Sequence, residues 1–241
     1  MSSRRAFLRL SGGAIAATAL ARTTLPGIAQ DGTPAASPVA IGDISALPLN
    51  AAGKLIVADS GNNRVLIWNS VPTDSCVEPD VVLGQGAFDT CQSNDADQDG
   101  ISDAAPSNRV LNYPSDVWSD GERLVVADAS NNRVLIWNQV PTTDFAAADA
   151  VLGQPGFHSD SPGNRQLGLD SPSYVHSNGN QLFVADSANR RVLIWDSLPE
   201  SSGLPANQVL GQPDFDTTER NAGQPSVNAA GFVYADGVFV Y

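Results

Sequence analysis

The stretch Leu124-Val125-Val126-Ala127-Asp128-Ala129-Ser130-Asn131-Asn132-Arg133-Val134-Leu135-Ile136-Trp137 decides the fold. Two β-rich runs, Leu124–Asp128 and Arg133–Asn138, flank four turn residues, which is a hairpin pattern. Within Val134-Leu135-Ile136-Trp137 both alternating faces are apolar. A strand greasy on both sides belongs in a sheet that lies between two other sheets.

The same stretch occurs three times. Leu55 … Asp59 … Arg64 … Trp68 and Leu182 … Asp186 … Arg191 … Trp195 repeat the pattern, with Asp-to-Arg steps of five residues and Arg-to-Trp steps of four in every copy. Sixteen residues after each Trp comes the Gly of a Val-Leu-Gly-Gln run, Gly84, Gly153 and Gly211, and four further on a Phe, Phe88, Phe157 and Phe215. The period is 58 residues, and the first interval carries 11 extra. A fixed period of this size signals a repeat architecture. One unit is predicted to hold strands near Asp116–Ser119, at Leu124–Asp128, at Arg133–Asn138 and at Ala150–Gln154.

Composition agrees with an all-β chain. The 241 residues hold 21 Gly and 16 Pro, and of 26 acids 22 are Asp, while Lys and Met occur once each. Asp, Gly, Pro and Asn favour turns, and helix formers are scarce. The formal net charge is −13. All acids lie at or after Asp31, so beyond residue 29 the chain carries 26 acids and nine bases, a net of −17. A coat that acidic repels phosphate backbones and anionic lipid heads, which argues against nucleic acid and membrane surfaces as partners. An apolar content of 42% is enough for a core.

The Leu-x-Val-Ala-Asp-x-x-Asn-Asn-Arg-Val-Leu-x-Trp unit resembles the NHL repeat of bacterial β-propellers, over residues 47–241. The resemblance implies four-stranded blades that serve as a binding scaffold, with a protein, glycan or small-molecule ligand on one rim. The spacing allows about three complete blades plus partial ones, an open arc rather than a closed ring. The next Asp of the pattern would fall at position 244, so Gly237-Val238-Phe239-Val240 reads as the second strand of a fourth unit, in a piece of a longer protein or in an arc that needs a partner.

Residues 1–29 resemble a twin-arginine export signal: Arg4-Arg5, then Phe7-Leu8, then a mild apolar run from Leu10 to Ala21. That run is far short of the ~20 residues that span a bilayer. Cleavage after Ala21 or after Ala29 fits the small-x-small rule, and the Pro/Ala/Ser/Gly-rich segment 30–46 reads as a linker, favouring Ala29. The resemblance implies export to the periplasm or the cell exterior.

Candidate chemistry is sparse. Asp59, Arg64 and Trp68, Asp128, Arg133 and Trp137, and Asp186, Arg191 and Trp195 recur in every unit, which favours a structural role over a single active site. The acidic insertion 90–105 contains Asp95-Ala96-Asp97-Gln98-Asp99-Gly100-Ile101-Ser102-Asp103. Carboxylates at alternate positions followed by Gly resemble a calcium loop, with Asp95, Asp97, Asp99, the Ile101 carbonyl and Asp103 as ligands. Calcium wants six to eight hard oxygens, and alternate Asp side chains on a tight loop converge on one point. The bidentate Glu of an EF-hand is replaced by Pro106, so weak binding is the reading, against a plain solvated acidic loop. Cys76 and Cys91 read as a disulfide closing a loop of 14 residues, or else as two inert thiols. Two Cys with His158 and His176 do not make a zinc pattern. His176 falls where Trp118 falls one unit earlier and is the one candidate axial ligand for the alternative reading, a metal-dependent propeller lyase or lactonase whose site further blades complete.

Overall fold

A computed structural model describes residues 53–240; the segments read as export signal and linker lie outside the described residues. Three antiparallel sheets follow one another along the chain, and none closes on itself. The first holds β1 (Leu55–Asp59), β2 (Arg64–Trp68) and β3 (Val81–Leu83). The second holds β4 (Pro114–Ser119), β5 (Leu124–Asp128), β6 (Arg133–Trp137) and β7 (Ala150–Leu152). The third holds β8 (Pro172–Ser177), β9 (Leu182–Asp186), β10 (Arg191–Trp195) and β11 (Gln208–Leu210). Strand neighbours in each sheet are neighbours in sequence.

The repeated hairpin has one register throughout. Asp59 lies opposite Arg64, Asp128 opposite Arg133 and Asp186 opposite Arg191, and each leading Leu lies opposite its Trp. The turn between is closed by a residue in the left-handed region, Asn63, Asn132 and Arg190. Asn tolerates that conformation because its short side chain bonds locally. Asn132 donates from Nδ2 to the Asp160 carbonyl and accepts the Ser171 amide on Oδ1. Asn63 does the same with Cys91 and Tyr113, so one turn residue ties together two loops.

The sheets stack face to face in chain order. Val65, Ile67 and Leu83 of the first sheet pack on Val126, Leu135 and Trp137 of the second. The other face of the second, through Val125, Val134 and Ile136, packs on Val184, Leu193 and Trp195 of the third. All five residues of β5, β6, β9 and β10 are buried, as expected for strands covered on both faces. The first strands of successive units are also bonded: Ser115 Oγ donates to the Pro172 carbonyl, and Asp116 accepts the Val175 amide.

The last strand of each unit is shorter than predicted, because Gly84, Gly153 and Gly211 take φ of +87°, +86° and +89° and turn the chain out of the sheet. A Cβ on Gly153 would stand 2.5 Å from Leu169 Cδ1, which is buried in the same core.

The outer edges of the first two sheets are capped by the next unit. The Val82 amide donates to Asp144 Oδ1, and its carbonyl accepts the Phe145 amide. The Val151 amide donates to Ser202 Oγ, and its carbonyl accepts the Gly203 amide.

The predicted fourth unit differs. No strand forms between residues 224 and 240. Phe232 stands at Gly211 where Leu111 stands at Gly84 and Leu169 at Gly153. Val227, one period after Leu169, is exposed. Residues 232–240 instead lay Phe232, Ala235, Val238 and Val240 on Phe183, Val192 and Ile194 of the third sheet. An apolar face without a partner sheet is covered by whatever apolar segment reaches it, and the repeat spacing alone does not enforce the register.

Gly121 has a φ of +93° and open space around it, whereas Gly153 has no room for a Cβ. Gly121→Ala is expected to cost ~1–2 kcal/mol from backbone alone. Gly153→Ala is expected to cost ~1–3 kcal/mol more from overpacking. Urea unfolding of the two variants measures the difference, and equal costs would contradict the close approach of Leu169.

Candidate functional site

Burial grades the three Asp–Arg pairs. Arg133 Nε donates to Asp128 Oδ2 at 2.7 Å, and Arg191 Nε to Asp186 Oδ2 at 2.7 Å, with every side chain in both pairs fully buried. The Asp59–Arg64 pair is 2.8 Å long and partly exposed. Each buried Asp accepts two further bonds. Asp128 takes the Asn112 amide and Asn131 Nδ2. Asp186 takes the Asp170 amide and Asn189 Nδ2. The guanidinium is likewise spent on protein. Arg133 donates to the carbonyls of Phe157, Ser107 and Val110. Arg191 donates to those of Asn164, Phe215, Arg165 and Gly168. Arg64 bonds the Phe88 carbonyl, so the Phe of each Val-Leu-Gly-Gln run meets the Arg of its own hairpin. All five N–H groups of Arg191 are taken by protein oxygens, and four of the five on Arg133, so the two buried pairs are tied into the fold.

Burial pushes the carboxyl of Asp128 up from its ordinary value, against the pull of Arg133. Burial likewise raises Asp186 to about 6, against the pull of Arg191. The three Trp are tied to the fold as well: Trp68, Trp137 and Trp195 donate from Nε1 to the carbonyls of Val77, Ala146 and Leu204 in the loops that follow them.

The acidic insertion folds into a compact loop beside β3. One oxygen each from Asp95, Asp97 and Asp99 can lie within 4.8 Å of the others, the only group of three metal-capable side chains among the described residues. That spread is small enough for the three carboxylates to reach one metal ion. Asp95 is buried and accepts the Asp99 and Gly100 amides, which holds the loop in a tight turn. Asp97 and Asp99 are exposed. Gly100 takes a φ of +87°, the turn for which a glycine is needed.

One of the predicted ligands, Asp103, falls outside this group of side chains. Asp103 accepts the Ala96 amide at 2.8 Å and braces the loop across its base. Ile101 has an exposed side chain, and its amide donates to Asp99. An open hollow of about 330 Å³ borders the loop, lined by Thr90, Gln92, Asp95 and Asp99 among others. Sequence reasoning missed Gln98, which accepts the Gly86 amide at 2.6 Å and donates to the Asp95 carbonyl, joining the insertion to the turn after β3. No sequence pattern marks it.

The expected disulfide is not formed: Cys76 and Cys91 are both free and exposed. The Cys91 carbonyl accepts from Asn63, just before β2, whereas Cys76 precedes Val77, whose carbonyl meets Trp68 at the far end of β2. Five residues of strand separate those ends by about 16 Å. A bridge requires Cα atoms within about 7 Å.

His176 lies opposite Phe183 on β8, as Trp118 lies opposite Val125 on β4, so the predicted equivalence holds. His176 Nε2 stands 2.8 Å from the Val240 carbonyl, and among the described residues His176 is in no group of three metal-capable side chains. His158 Nδ1 stands 2.9 Å from the Pro106 carbonyl. A second hollow, also about 330 Å³, lies against Gly153, Gln154 and Leu167 and has no titratable side chain in its wall.

Compared with known proteins, the chain matches no family model, and no curated protein is a significant match.

Two predictions rest on the ion pairs. Arg133→Met leaves Asp128 buried and unpaired, a loss expected at ~3–5 kcal/mol. Arg64→Met at the exposed copy should cost only ~0–1 kcal/mol; denaturant midpoints compare them. The second prediction concerns pH. The raised carboxyl of Asp186 keeps a proton in the folded chain, between about pH 4 and 6, that the unfolded chain has released. The contribution of Asp186 is therefore full below pH 4 and is lost as pH rises through 6. The stability difference between the natural chain and Asp186→Asn should shrink over that range. A flat or growing difference would contradict the raised value.

Proposed function

We propose that this chain is an NHL-repeat β-propeller protein, exported by the twin-arginine route, that works as a binding scaffold with calcium held in the 95–99 loop. The observation that carries the reading is the stack: three sheets with the same internal register pack in chain order, and the middle strands of the second are buried on both faces, against the first and against the third. Wedge-like sheets that can bury their faces only against their own kind are what a propeller blade needs. The twin-arginine pattern and the acid-rich body support an address outside the cytoplasm. Proteins, glycans or small molecules on one rim are the ligands this reading offers. Calcium supplies charge neutralisation in the loop, where Asp95, Asp97 and Asp99 would be its ligands.

The lyase or lactonase alternative has less to stand on. It depends on His176 as an axial ligand, and that ring is engaged with Val240.

Isothermal calorimetry tests the calcium site. The chain is expected to show one saturable site with a Kd of ~10⁻⁴–10⁻³ M. Ten millimolar Ca²⁺ should then add ~1.4–2.7 kcal/mol of stability. Asp97→Asn with Asp99→Asn should remove both effects while keeping the fold, because both residues are exposed. Identical heats from the two proteins would overturn the site. A crystal structure with the sheets not arranged radially around a common axis would overturn the propeller.

A further inference from the structure

We propose that Asn178 is a self-modifying site, where the Gly179 backbone nitrogen attacks the Asn178 carboxamide and converts it to aspartate or isoaspartate. Asn178-Gly179 is the only Asn-Gly step in the sequence. It forms the turn between β8 and β9, directly after Ser177, which pairs with Leu182. Both residues are exposed. Gly179 takes a φ of +92°, and nothing lies within 4 Å of the place a Cβ would occupy, so the attacking residue is uncrowded. This exposure belongs to the turn itself. Asp120 and Gly121 hold the same place in the second unit, whose sheet is covered on both faces. They are exposed as well, with the same open space at Gly121.

The turn holds the reacting group in place. Asn178 Oδ1 accepts the Asn180 amide at 3.0 Å and the Gln181 amide at 2.8 Å. Attack on Cγ drives negative charge onto that oxygen. Two fixed donors aimed at it stabilise the tetrahedral intermediate as an oxyanion hole does. The leaving nitrogen is held lightly, by one long bond of 3.3 Å from Nδ2 to Gln181 Oε1. The Gly179 amide gives up its bond to Ser177 Oγ, 3.0 Å long, as its nitrogen turns onto Cγ.

Water is the one co-reactant. Hydroxide removes the Gly179 amide proton, and the nitrogen forms a bond to Cγ. The Cγ–Nδ2 bond breaks, and Nδ2 takes a proton from water and leaves as ammonia. A second water opens the succinimide. Opening at Cγ gives aspartate, and opening at the main-chain carbonyl of residue 178 gives isoaspartate. The second unit shows that the first product fits the turn. Asp120 Oδ1 accepts the Glu122 and Arg123 amides at 3.0 and 2.7 Å, the same two bonds. Arg123 pairs with that carboxylate, whereas position 181 is Gln, so the new charge at 178 lacks the equivalent partner. Isoaspartate adds a main-chain methylene and lengthens the turn. None of this depends on the propeller or calcium readings, because every bond involved lies within one hairpin.

Peptide mapping by mass spectrometry tests it on the full chain, aged in mildly alkaline buffer. Trypsin, cutting after Arg165 and Arg190, releases residues 166–190 with Asn178 inside. Exchange of –NH2 for –OH at residue 178 should outpace that at every other Asn by roughly tenfold or more. An isoaspartate-specific methyltransferase should label the aged chain more than the fresh one. The folded chain should convert at least as fast as the chain unfolded in urea, because the two amides are set on Oδ1 only in the turn. Gly179→Ala crowds the nucleophile and should slow conversion roughly tenfold. Asn178→Asp should fold like the natural chain, with the same urea midpoint. A folded chain that keeps Asn178 intact while the unfolded chain converts overturns the proposal. So does faster conversion at another Asn, or a Gly179→Ala chain that converts at the natural rate.

Discussion

A sheet that is apolar on both faces cannot stand alone in water, and everything else in this chain follows from that constraint. The middle strands carry Val, Leu, Ile and Trp without alternation, so β5, β6, β9 and β10 have no face that water can wet. Burying one such side chain is worth ~1.5–3 kcal/mol relative to leaving it exposed. Stacking in chain order answers the constraint at low loop cost. The second sheet is covered by the first on one face and by the third on the other. The third is covered on its outer face by residues 232–240, which form no strand but supply the apolar atoms that face requires.

Apolar stacking alone would let sheets slide, and the polar network removes that freedom. Arg133 lies buried between its own hairpin, the Phe157 loop and the entry to its unit at Ser107 and Val110. A charge taken out of water holds its place only with its partners complete, so any sliding would break several bonds at once. The edge contacts at Val82 and Val151 set the lateral position of each sheet against the next. Shape supplies the attraction, and directed bonds supply the alignment.

Much of this was legible in the sequence, because the repeat marks the residues that every unit needs. The Asp-to-Arg and Arg-to-Trp steps placed β5, β6, β9 and β10 within a residue of where they lie. The Gly of each Val-Leu-Gly-Gln run ended the last strand sooner than predicted, since its positive φ points the chain away from the ladder. The edge contacts were not legible. Asp144 and Ser202 share an oxygen, but Phe145 and Gly203 share only a backbone conformation, which leaves no common letter to find. Asp103 was placed with the other carboxylates by charge and spacing, and it stands apart from the Asp95, Asp97 and Asp99 cluster, with one oxygen on the Ala96 amide. The cysteines failed for a related reason: sequence distance across β3 said nothing of the length of β2, which holds their loops apart.

The acidic insertion shows how a repeat can be enlarged without losing its frame. The 11 extra residues enter between Gly84 and β4, where the other units have a plain connection. The frame is still served there. The Arg64 guanidinium bonds the Phe88 carbonyl, and Gln98 reaches back to Gly86. Asn94 and Asn131 exchange amide bonds at 2.9 Å, fixing the insertion to the turn of the second unit. Clustered carboxylates repel one another, and a loose loop would spread them apart. Here Asp95 is buried and tied to two amides, so the neighbouring Asp97 and Asp99 are kept close at a standing electrostatic cost. A cation would lower that cost, and none of the repeat's own bonds would have to change to admit it.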